Sequence, residues 1–119
     1  MKTSILREKS FRFAVRIVNL YKYLCEEKKE FVMSKQIMKS GTSVGANIRE
    51  AEYSESIADF IHKMAIAQKE INETIFWLEL LNETKYILFN EFESAHTDAV
   101  EIIKMITSSI KTAKTKTNH

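Results

Sequence analysis

Apolar residues recur at intervals of three and four in four stretches of the chain, which is the spacing of amphipathic α-helices. The first stretch covers residues 10–26 and contains two apolar series. These series are Phe11, Ala14, Val15, Val18, Tyr21 and Cys25, and Phe13, Ile17, Leu20 and Leu24. Together they cover well over half of the helix circumference, whereas a bundle helix needs an apolar stripe of only about 100°. This helix is therefore predicted to contact another subunit as well as its own core.

The second stretch, residues 34–53, contains both glycines of the protein, Gly41 and Gly45. A glycine inside a helix costs about 1 kcal/mol relative to alanine, so some other interaction must offset both positions. Either the helix breaks near residues 41–43, or a neighbouring helix packs unusually close to this slim surface. The sequence leaves these two alternatives open.

The third stretch, residues 55–82, has a heptad-like apolar seam with Gln68 in its middle. A buried amide without hydrogen-bond partners costs about 1–3 kcal/mol, and Ser40 and Asn47 of the second stretch are the predicted partners. A second apolar patch on the opposite side consists of Ile66, Phe76, Trp77 and Leu80. This helix is therefore predicted to have two apolar sides, which again favours an oligomer.

The fourth stretch, residues 90–112, carries a single apolar stripe, and the basic tail at residues 113–119 is expected to be frayed or disordered. Because the connections between the stretches are short, consecutive helices are expected to run antiparallel. The chain has no proline and only two glycines, which leaves little of the turn signal that many short strands would need. The predicted fold class is all-α, an up-and-down antiparallel four-helix bundle in a single domain over residues 1–119.

Two of the four stretches begin with residues typical of helix starts. Ser56 with Asp59, and Asn90 with Glu93, have the three-residue spacing of an N-terminal cap and the side chain that completes it. These pairs predict helix starts close to residues 56 and 90.

The cysteine content and the length of the apolar runs indicate the cellular compartment in which the protein is expected. The single cysteine, Cys25, cannot form an intramolecular disulfide, which favours a reducing environment. Charged residues interrupt the apolar runs before they reach the length of about 20 residues that a membrane-spanning helix needs. Residues 1–8 contain no apolar segment of signal-peptide length. We therefore expect a cytoplasmic protein without membrane contact.

The net charge of +2 conceals two blocks of opposite sign. Residues 1–49 contain 11 basic and 4 acidic side chains, a balance of +7, whereas residues 50–101 contain 3 basic and 12 acidic side chains, a balance of −9. Such blocks form solvated helix faces, or oppositely charged faces that meet within or between subunits. Alternatively, the basic block forms a surface that binds phosphates.

The sequence contains no catalytic or metal-binding pattern of the usual spacing. Cys25 could pair with His62, but a lone cysteine on an apolar helix face is usually a small core residue. The three histidines lack the Glu-x-x-His and His-x-x-x-His spacings of metal sites. Residues 41–47 lack the Gly-Lys-Ser/Thr ending of a phosphate-binding loop. No enzymatic activity, cofactor or metal is expected.

The candidate functional surface is a set of basic residues on the polar sides of the first two helices. The set is Lys9, Arg12, Arg16, Lys35, Lys39 and Arg49. Several positive side chains on one surface bind nucleic-acid phosphates, and the two strips could join if the helices pack side by side. No aromatic platform or base-reading motif accompanies them, so any binding has little sequence specificity. The alternative is a protein–protein scaffold whose basic and acidic faces pair between subunits.

Four segments of the sequence carry a family resemblance. They are S-F-R-F-A at 10–14, S-G-T-S-V-G-A-N-I-R-E-A at 40–51, D-F-I-H-K-M-A-I-A at 59–67 and E-I-N-E-T-I-F-W-L-E-L-L at 70–81. Through them, residues 10–112 resemble the proteins encoded in intervening sequences of 23S ribosomal RNA, also called S23 ribosomal proteins. Many relatives have proline where this chain has Gly45 and glycine where it has Ala51, and these differences bear on local backbone shape.

The resemblance implies an up-and-down four-helix bundle that assembles as a homopentamer. It also implies that Ser40, Ser43, Asn47 and Glu50 are the motif positions of the family, for which a structural role is favoured over ligand binding. The accessory variability determinant of diversity-generating retroelements is similar, and it is a basic pentamer that engages a reverse transcriptase and nucleic acid. By this analogy, the expected partners are further copies of the chain, RNA or DNA, and a reverse-transcriptase-like protein. The expected function is that of a ribonucleoprotein accessory module.

Overall fold

Four α-helices form the computed structural model, which describes residues 2–117. They are α1 (Lys2–Glu26), α2 (Met33–Glu52), α3 (Ile57–Glu83) and α4 (Phe89–Thr117). Consecutive helices pack on each other and α1 also packs on α4, whereas within residues 2–117 the backbones of α1 and α3, and those of α2 and α4, do not approach each other closely. The helices therefore occupy the four corners of an antiparallel bundle of 52 × 21 × 20 Å, which confirms the predicted fold class.

The outer ends of the first and last helices differ from the prediction. α1 begins at Lys2 rather than near residue 10, because Leu6 extends its buried side by a further turn. α4 continues to Thr117 rather than ending at residue 112, and Ala113 is buried on its apolar stripe. The prediction of a frayed tail is therefore wrong for residues 113–117, while residues 118–119 lie outside the described part of the chain.

The inner ends of the helices test the two predicted caps. The Ser56 hydroxyl accepts a hydrogen bond of 3.0 Å from the backbone N–H of Asp59, so the predicted start of α3 is confirmed. Asn90 does not precede α4, which already begins at Phe89, so the predicted cap at residue 90 is wrong. The start of α2 is capped by a different kind of side chain. The Glu30 carboxylate accepts hydrogen bonds from three consecutive backbone N–H groups, those of residues 32–34.

All four helices contribute buried side chains to one hydrophobic core. The largest fully buried side chains are Leu6, Phe13, Ile17, Leu24, Ile37, Ile48, Met64, Ile71, Leu78, Leu81, Ile102 and Ile106. Of the two apolar series on α1, the one that contains Phe13 and Ile17 enters this core. The other points outward, and it leaves Phe11 53% and Val15 46% exposed.

The two glycines of α2 allow α1 to approach closely. α2 is continuous from Met33 to Glu52, so the helix does not break at the glycines. A Cβ atom at Gly41 would lie 2.8 Å from both Cγ atoms of Ile17, and one at Gly45 would lie 3.3 Å from the carbonyl oxygen of Ser10. Close packing, the second of the two alternatives, is therefore correct. Burial of Ile17 against this slim surface offsets the intrinsic cost of glycine in a helix.

The side-chain amide of Gln68 forms its hydrogen bond with a different helix from the one predicted. Its Nε2 donates a hydrogen bond of 3.0 Å to the Thr107 hydroxyl of α4, because Gln68 lies on the side of α3 that faces α4. The predicted partners, Ser40 and Asn47, are engaged elsewhere. The Ser40 and Thr74 hydroxyl oxygens lie 2.9 Å apart in the α2–α3 interface, and Asn47 donates to a backbone carbonyl of its own helix.

Candidate nucleic-acid interface

The three basic residues predicted on α1 lie on the side of that helix that faces α4. Their spacing of three and four residues places Lys9, Arg12 and Arg16 in one row. The Lys9 ammonium donates a hydrogen bond of 2.9 Å to Glu101, and the Arg16 guanidinium donates one of 3.1 Å to Asp98. Two of the three cations are therefore matched by carboxylates of α4.

The third cation of this row pairs within α1 itself. Arg12 donates a hydrogen bond of 2.7 Å to the Glu8 carboxylate one turn earlier on α1. The hydrogen bond to Glu101, together with its negative charge, raises the pKa of Lys9 above the ordinary value for lysine. Each cation of the row already has an anionic partner in the same chain.

The basic residues predicted on α2 lie on its outer side. Residues at spacings of four and three share one side of a helix, and this row, called the α2 ridge below, consists of Lys35, Lys39, Thr42, Ala46 and Arg49. Lys35 and Lys39 are exposed, and neither forms an ion pair with any residue that the structure describes. Arg49 lies over the Phe11 ring of α1, with its guanidinium carbon 5.3 Å from the ring centre.

The two rows do not join into one basic surface, although α1 and α2 are neighbours. The exposed side chains of Phe11 and Val15 lie on α1 between the row that faces α4 and the edge that faces α2. The structure thus places all six predicted residues at the surface, but it divides them into a paired group and a group without carboxylate partners among the residues that the structure describes. Their role in nucleic-acid binding stays a prediction.

The carboxylates that pair with α1 could not be identified from the sequence. Glu101 and Asp98 lie more than 80 positions from their cationic partners, so no local spacing connects them. The only signal was the opposite charge of the two chain halves, which does not select individual residues. The two strips lie on consecutive helices, whereas the carboxylates come from α4, which is the other neighbour of α1.

A cleft of about 500 Å³ lies beside the first row, between α1 and α4. Its walls are mainly apolar and include Val15, Leu20 and Tyr23 as well as Arg12 and Arg16. Arg16 is paired with Asp98, and the other titratable side chains that line the cleft are Arg12, Tyr23 and Glu91. The cleft has none of the arrangement of nucleophile, base and orienting group that acyl or phosphoryl transfer requires.

The other candidate groups for chemistry have structural contacts. The Cys25 sulfur lies 3.7 Å from the Ser34 hydroxyl, and a hydrogen bond with Cys25 raises the pKa of the Tyr21 phenol, so the thiol contacts these residues and not His62. Among the described residues, no group of three or more histidine, cysteine, aspartate or glutamate side chains is placed to hold a metal ion. None of the helices in residues 2–117 is both long and apolar enough to cross a membrane.

The four motif positions all bond within the chain. Ser40 meets Thr74 across the α2–α3 interface, and Glu50 accepts a hydrogen bond of 2.9 Å from Lys63 of α3. Ser43 donates to a backbone carbonyl one turn earlier on α2, and Asn47 donates to the carbonyl of Ser43. These contacts support a structural role, in which the motif positions join α2 to α3 and complete the hydrogen bonds of α2.

Comparison with known proteins identifies a family and a similar solved structure. The sequence profile of the 23S rRNA-intervening sequence protein family matches residues 2–108. A solved structure of a protein with unknown function, from the S23 ribosomal protein family of Bacteroides thetaiotaomicron, is 60% identical in sequence and has a TM-score of 0.92. The match covers 93% of this chain and 99% of that chain. No curated protein matches the sequence.

Proposed function

We propose that this chain, which belongs to the 23S rRNA-intervening sequence protein family, is a non-enzymatic cytoplasmic oligomer that binds RNA or another nucleic acid. In this proposal, the α2 ridge supplies the first contacts with phosphates. The observation that carries it is the pair Lys35 and Lys39, two exposed cations one turn apart without carboxylate partners in the described chain. Such cations are available to replace the counterions of a phosphate backbone.

The ridge is long enough for several phosphates. Lys35 and Arg49 are 14 positions apart, which corresponds to about 21 Å at 1.5 Å per residue. Between them the ridge carries the small residues Thr42 and Ala46, which leave room for a backbone to approach. Because the ridge has no aromatic side chain on which bases could stack, it supports contacts with backbone phosphates rather than base recognition.

The row of cations on α1 contributes to phosphate binding once phosphates replace the carboxylates that pair with it. Exposed ion pairs contribute only about 0–1 kcal/mol, so phosphates can compete with Glu101, Asp98 and Glu8 for Lys9, Arg12 and Arg16. This exchange would extend the contact from α2 onto α1. The family resemblance implies that the proposed assembly is a pentamer. The same cations then recur in every copy, and the linked sites raise the overall affinity for nucleic acid.

The test is a double substitution of the two unpaired lysines. Lys35→Gln with Lys39→Gln is compared with wild type for binding to a fluorescein-labelled hairpin RNA, followed by fluorescence anisotropy over a series of salt concentrations. Removing one lysine–phosphate interaction reduces the slope of log K against log salt by about 1. We expect weaker binding at low salt and a slope smaller by about 2.

The matched control removes the same charge from the opposite corner of the bundle. Lys104 and Lys111 are exposed on α4, seven residues apart and therefore on one side of that helix. Lys104→Gln with Lys111→Gln is expected to leave the affinity and the salt slope close to wild type. If both double variants bind alike, the α2 ridge is not the phosphate site and the protein binds only through its net charge.

A protein–protein scaffold is the second candidate function. It is favoured by the ion pairs of Lys9, Arg12 and Arg16, since these cations already satisfy carboxylates of their own chain. The ratio of absorbance at 260 and 280 nm in the purified oligomer separates the two functions. Nucleic acid that co-purifies with wild type and is absent from the Lys35 and Lys39 variant supports the first, and an oligomer that never retains or binds nucleic acid supports the scaffold. A reverse-transcriptase-like partner stays a prediction.

A further inference from the structure

A groove of about 330 Å³ lies between α1 and α2, along one edge of the α2 ridge. This volume is at the lower end of the range of about 300–1,000 Å³ that is typical of small-ligand sites. The lining residues are Arg7, Phe11, Ala14, Thr42, Gly45, Ala46 and Arg49. Both titratable side chains of this lining are arginines, so the groove itself presents no carboxylate to repel an anion.

The floor of the groove is made of small residues because the two helices meet at Gly45. A Cβ atom at Gly45 would lie 3.3 Å from the carbonyl oxygen of Ser10. Ala14 and Ala46, which also line the groove, each project only a methyl group. The longer side chains therefore form the walls, and the space between them suits a flat ring.

The Phe11 ring is the aromatic surface of the groove. Phe11 and Arg49 are far apart in the sequence, but the packing of α1 on α2 places the guanidinium carbon 5.3 Å from the ring centre. Phe11 is nevertheless 53% exposed, so Arg49 leaves much of the ring open. Nucleic-acid bases stack on aromatic rings and on guanidinium planes. The groove thus combines both kinds of stacking surface.

Both arginines of the groove retain hydrogen-bond donors for a phosphate. A guanidinium has five N–H donors, and neither Arg7 nor Arg49 donates a side-chain hydrogen bond to any residue that the structure describes. The Arg7 Nε lies 3.6 Å from Oε1 of Glu52, which is beyond hydrogen-bond distance, and that oxygen has no partner among residues 2–117. Phosphate oxygens can therefore bind both guanidinium groups without displacing a hydrogen bond.

The groove is continuous with the proposed phosphate surface. Arg49 belongs both to the groove lining and to the α2 ridge, and Lys39 is ten positions from it, about 15 Å along the helix. A strand that leaves the groove at Arg49 can thus follow the ridge toward Lys39 and Lys35. Val15 does not line the groove, so α1 keeps exposed apolar surface for contacts between copies.

We propose that the groove binds one unpaired nucleotide of a single-stranded segment, with its base stacked on Phe11 and its flanking phosphates at Arg7 and Arg49. This inference rests on the phosphate binding of the proposed function and adds the contact with a base. Every base has a face on which to stack, so the groove accepts different sequences. It distinguishes single strands from duplexes, whose bases are already stacked and paired.

The experiment compares two fluorescein-labelled probes with the same number of phosphates. One is a single-stranded oligouridylate, and the other is an abasic oligomer of equal length. Stacking of one base on an aromatic side chain corresponds to a factor of about 5–150 in affinity. In fluorescence anisotropy, the wild-type oligomer is expected to bind the oligouridylate more tightly than the abasic oligomer by a factor in that range.

Two variants remove the stacking site without changing any charge. Phe11→Leu keeps an apolar side chain but lacks the ring, and Ala46→Leu keeps the ring but fills the groove. Each is expected to bind both probes with about the affinity that wild type has for the abasic oligomer, and with the salt dependence of wild type. Phe11→Trp is expected to retain the preference for the oligouridylate. Because Ala46→Leu leaves α1 unchanged, the result does not depend on contacts that α1 makes between copies.

The matched control is Tyr53→Leu, which removes an aromatic ring that is 79% exposed and lies outside the groove. It is expected to retain the preference, and circular dichroism with light scattering checks the fold and mass of every variant. A preference that survives in Phe11→Leu and Ala46→Leu, or that is also lost in Tyr53→Leu, overturns the assignment of the base to this groove.

The remaining outcomes separate this inference from the proposed function. Wild type that binds both probes equally well overturns the base contact and leaves phosphate binding intact, whereas wild type that binds neither probe overturns the proposed function as well. Uridine monophosphate is the competitor. If it displaces the oligouridylate at equal nucleotide concentration, the groove is a site for free nucleotides, and the assignment to a single strand is wrong.

Discussion

Glu30 holds the start of α2, although it lies in a segment that reads as a charged connection. Its carboxylate accepts hydrogen bonds of 3.1, 3.0 and 2.8 Å from the backbone N–H groups of Val32, Met33 and Ser34. The Ser34 hydroxyl donates back to the Glu30 carbonyl at 2.8 Å. Three of the N–H groups that a helix start leaves unpaired are therefore satisfied by one side chain, whose charge also suits the positive end of the helix dipole.

We expect Glu30→Ala to lower the free energy of unfolding by about 1–2 kcal/mol, the usual range for removal of an N-terminal cap. The destabilisation arises because the three N–H groups have no other acceptor in the folded connection. Urea denaturation followed by circular dichroism measures it. Glu27→Ala is the matched control, since Glu27 is exposed and its side chain forms no ion pair in the described chain. Equal midpoints for the two variants would show that the carboxylate does not stabilise α2.

The sequence predicts some individual residues and not others for a physical reason. Ser56 was identifiable because a cap acts on its own helix, three residues away. Glu30 was missed because glutamate is an uncommon cap, and its action depends on a turn that folds the side chain back onto the backbone. Gln68 was recognised as a buried amide, but its partner Thr107 lies on another helix, and a helical period does not determine which neighbour a side chain faces.

At the scale of helices, the packing of α1 on α2 depends on the absence of a side chain at Gly41. We expect Gly41→Ala to destabilise the bundle, because the new Cβ would lie 2.8 Å from two atoms of Ile17. Ile17 is β-branched, and its buried side chain cannot rotate away without a clash. Overpacking of this kind costs about 1–3 kcal/mol, which exceeds the gain of about 1 kcal/mol in helix propensity over most of that range.

The clash can be separated from other effects by a double-mutant cycle. Ile17→Ala removes the two Cγ atoms that lie 2.8 Å from the new Cβ and leaves only the Cβ of residue 17, at 3.1 Å, at the expected cost of about 2–5 kcal/mol for a buried isoleucine. In that background, Gly41→Ala is expected to be clearly less destabilising than in wild type, so the two substitutions couple in urea denaturation. A Gly41→Ala effect that is the same in both backgrounds would contradict the close-packing explanation.

The helices themselves were predictable, whereas their outer ends were not. Periodicity of three and four located all four helices, since each buries an apolar stripe. α1 extends to Lys2 because the single residue Leu6 adds one buried turn, and one apolar residue in a polar segment is too weak a signal to extend a helix. The same holds for Ala113 at the end of α4.

For the whole molecule, the surplus of apolar surface was predictable and the distribution of charge was not. The exposed Phe11, Val15 and Phe76 correspond to the second apolar sides expected for the first and third helices. The basic residues were expected to form one surface, but the adjacency of α1 and α4 divides them. Charge blocks along a chain establish the sign of each helix, and only the packing of the helices decides which charges are matched.

Salt concentration is expected to affect the two proposed interactions, nucleic-acid binding and self-association, to different extents. Phosphate contacts release counterions, so nucleic-acid affinity falls steeply as salt rises, by about 10³–10⁵ between 50 and 200 mM for proteins with six to ten such contacts. Burial of the exposed apolar side chains of α1 and α3 between copies does not release counterions, so an oligomer held by them depends little on salt. We therefore expect light scattering at about 500 mM salt to show an oligomer with its wild-type subunit number and no bound nucleic acid. An assembly that dissociates in step with the release of nucleic acid would instead be held together by charge, as in a scaffold whose basic and acidic faces pair between subunits.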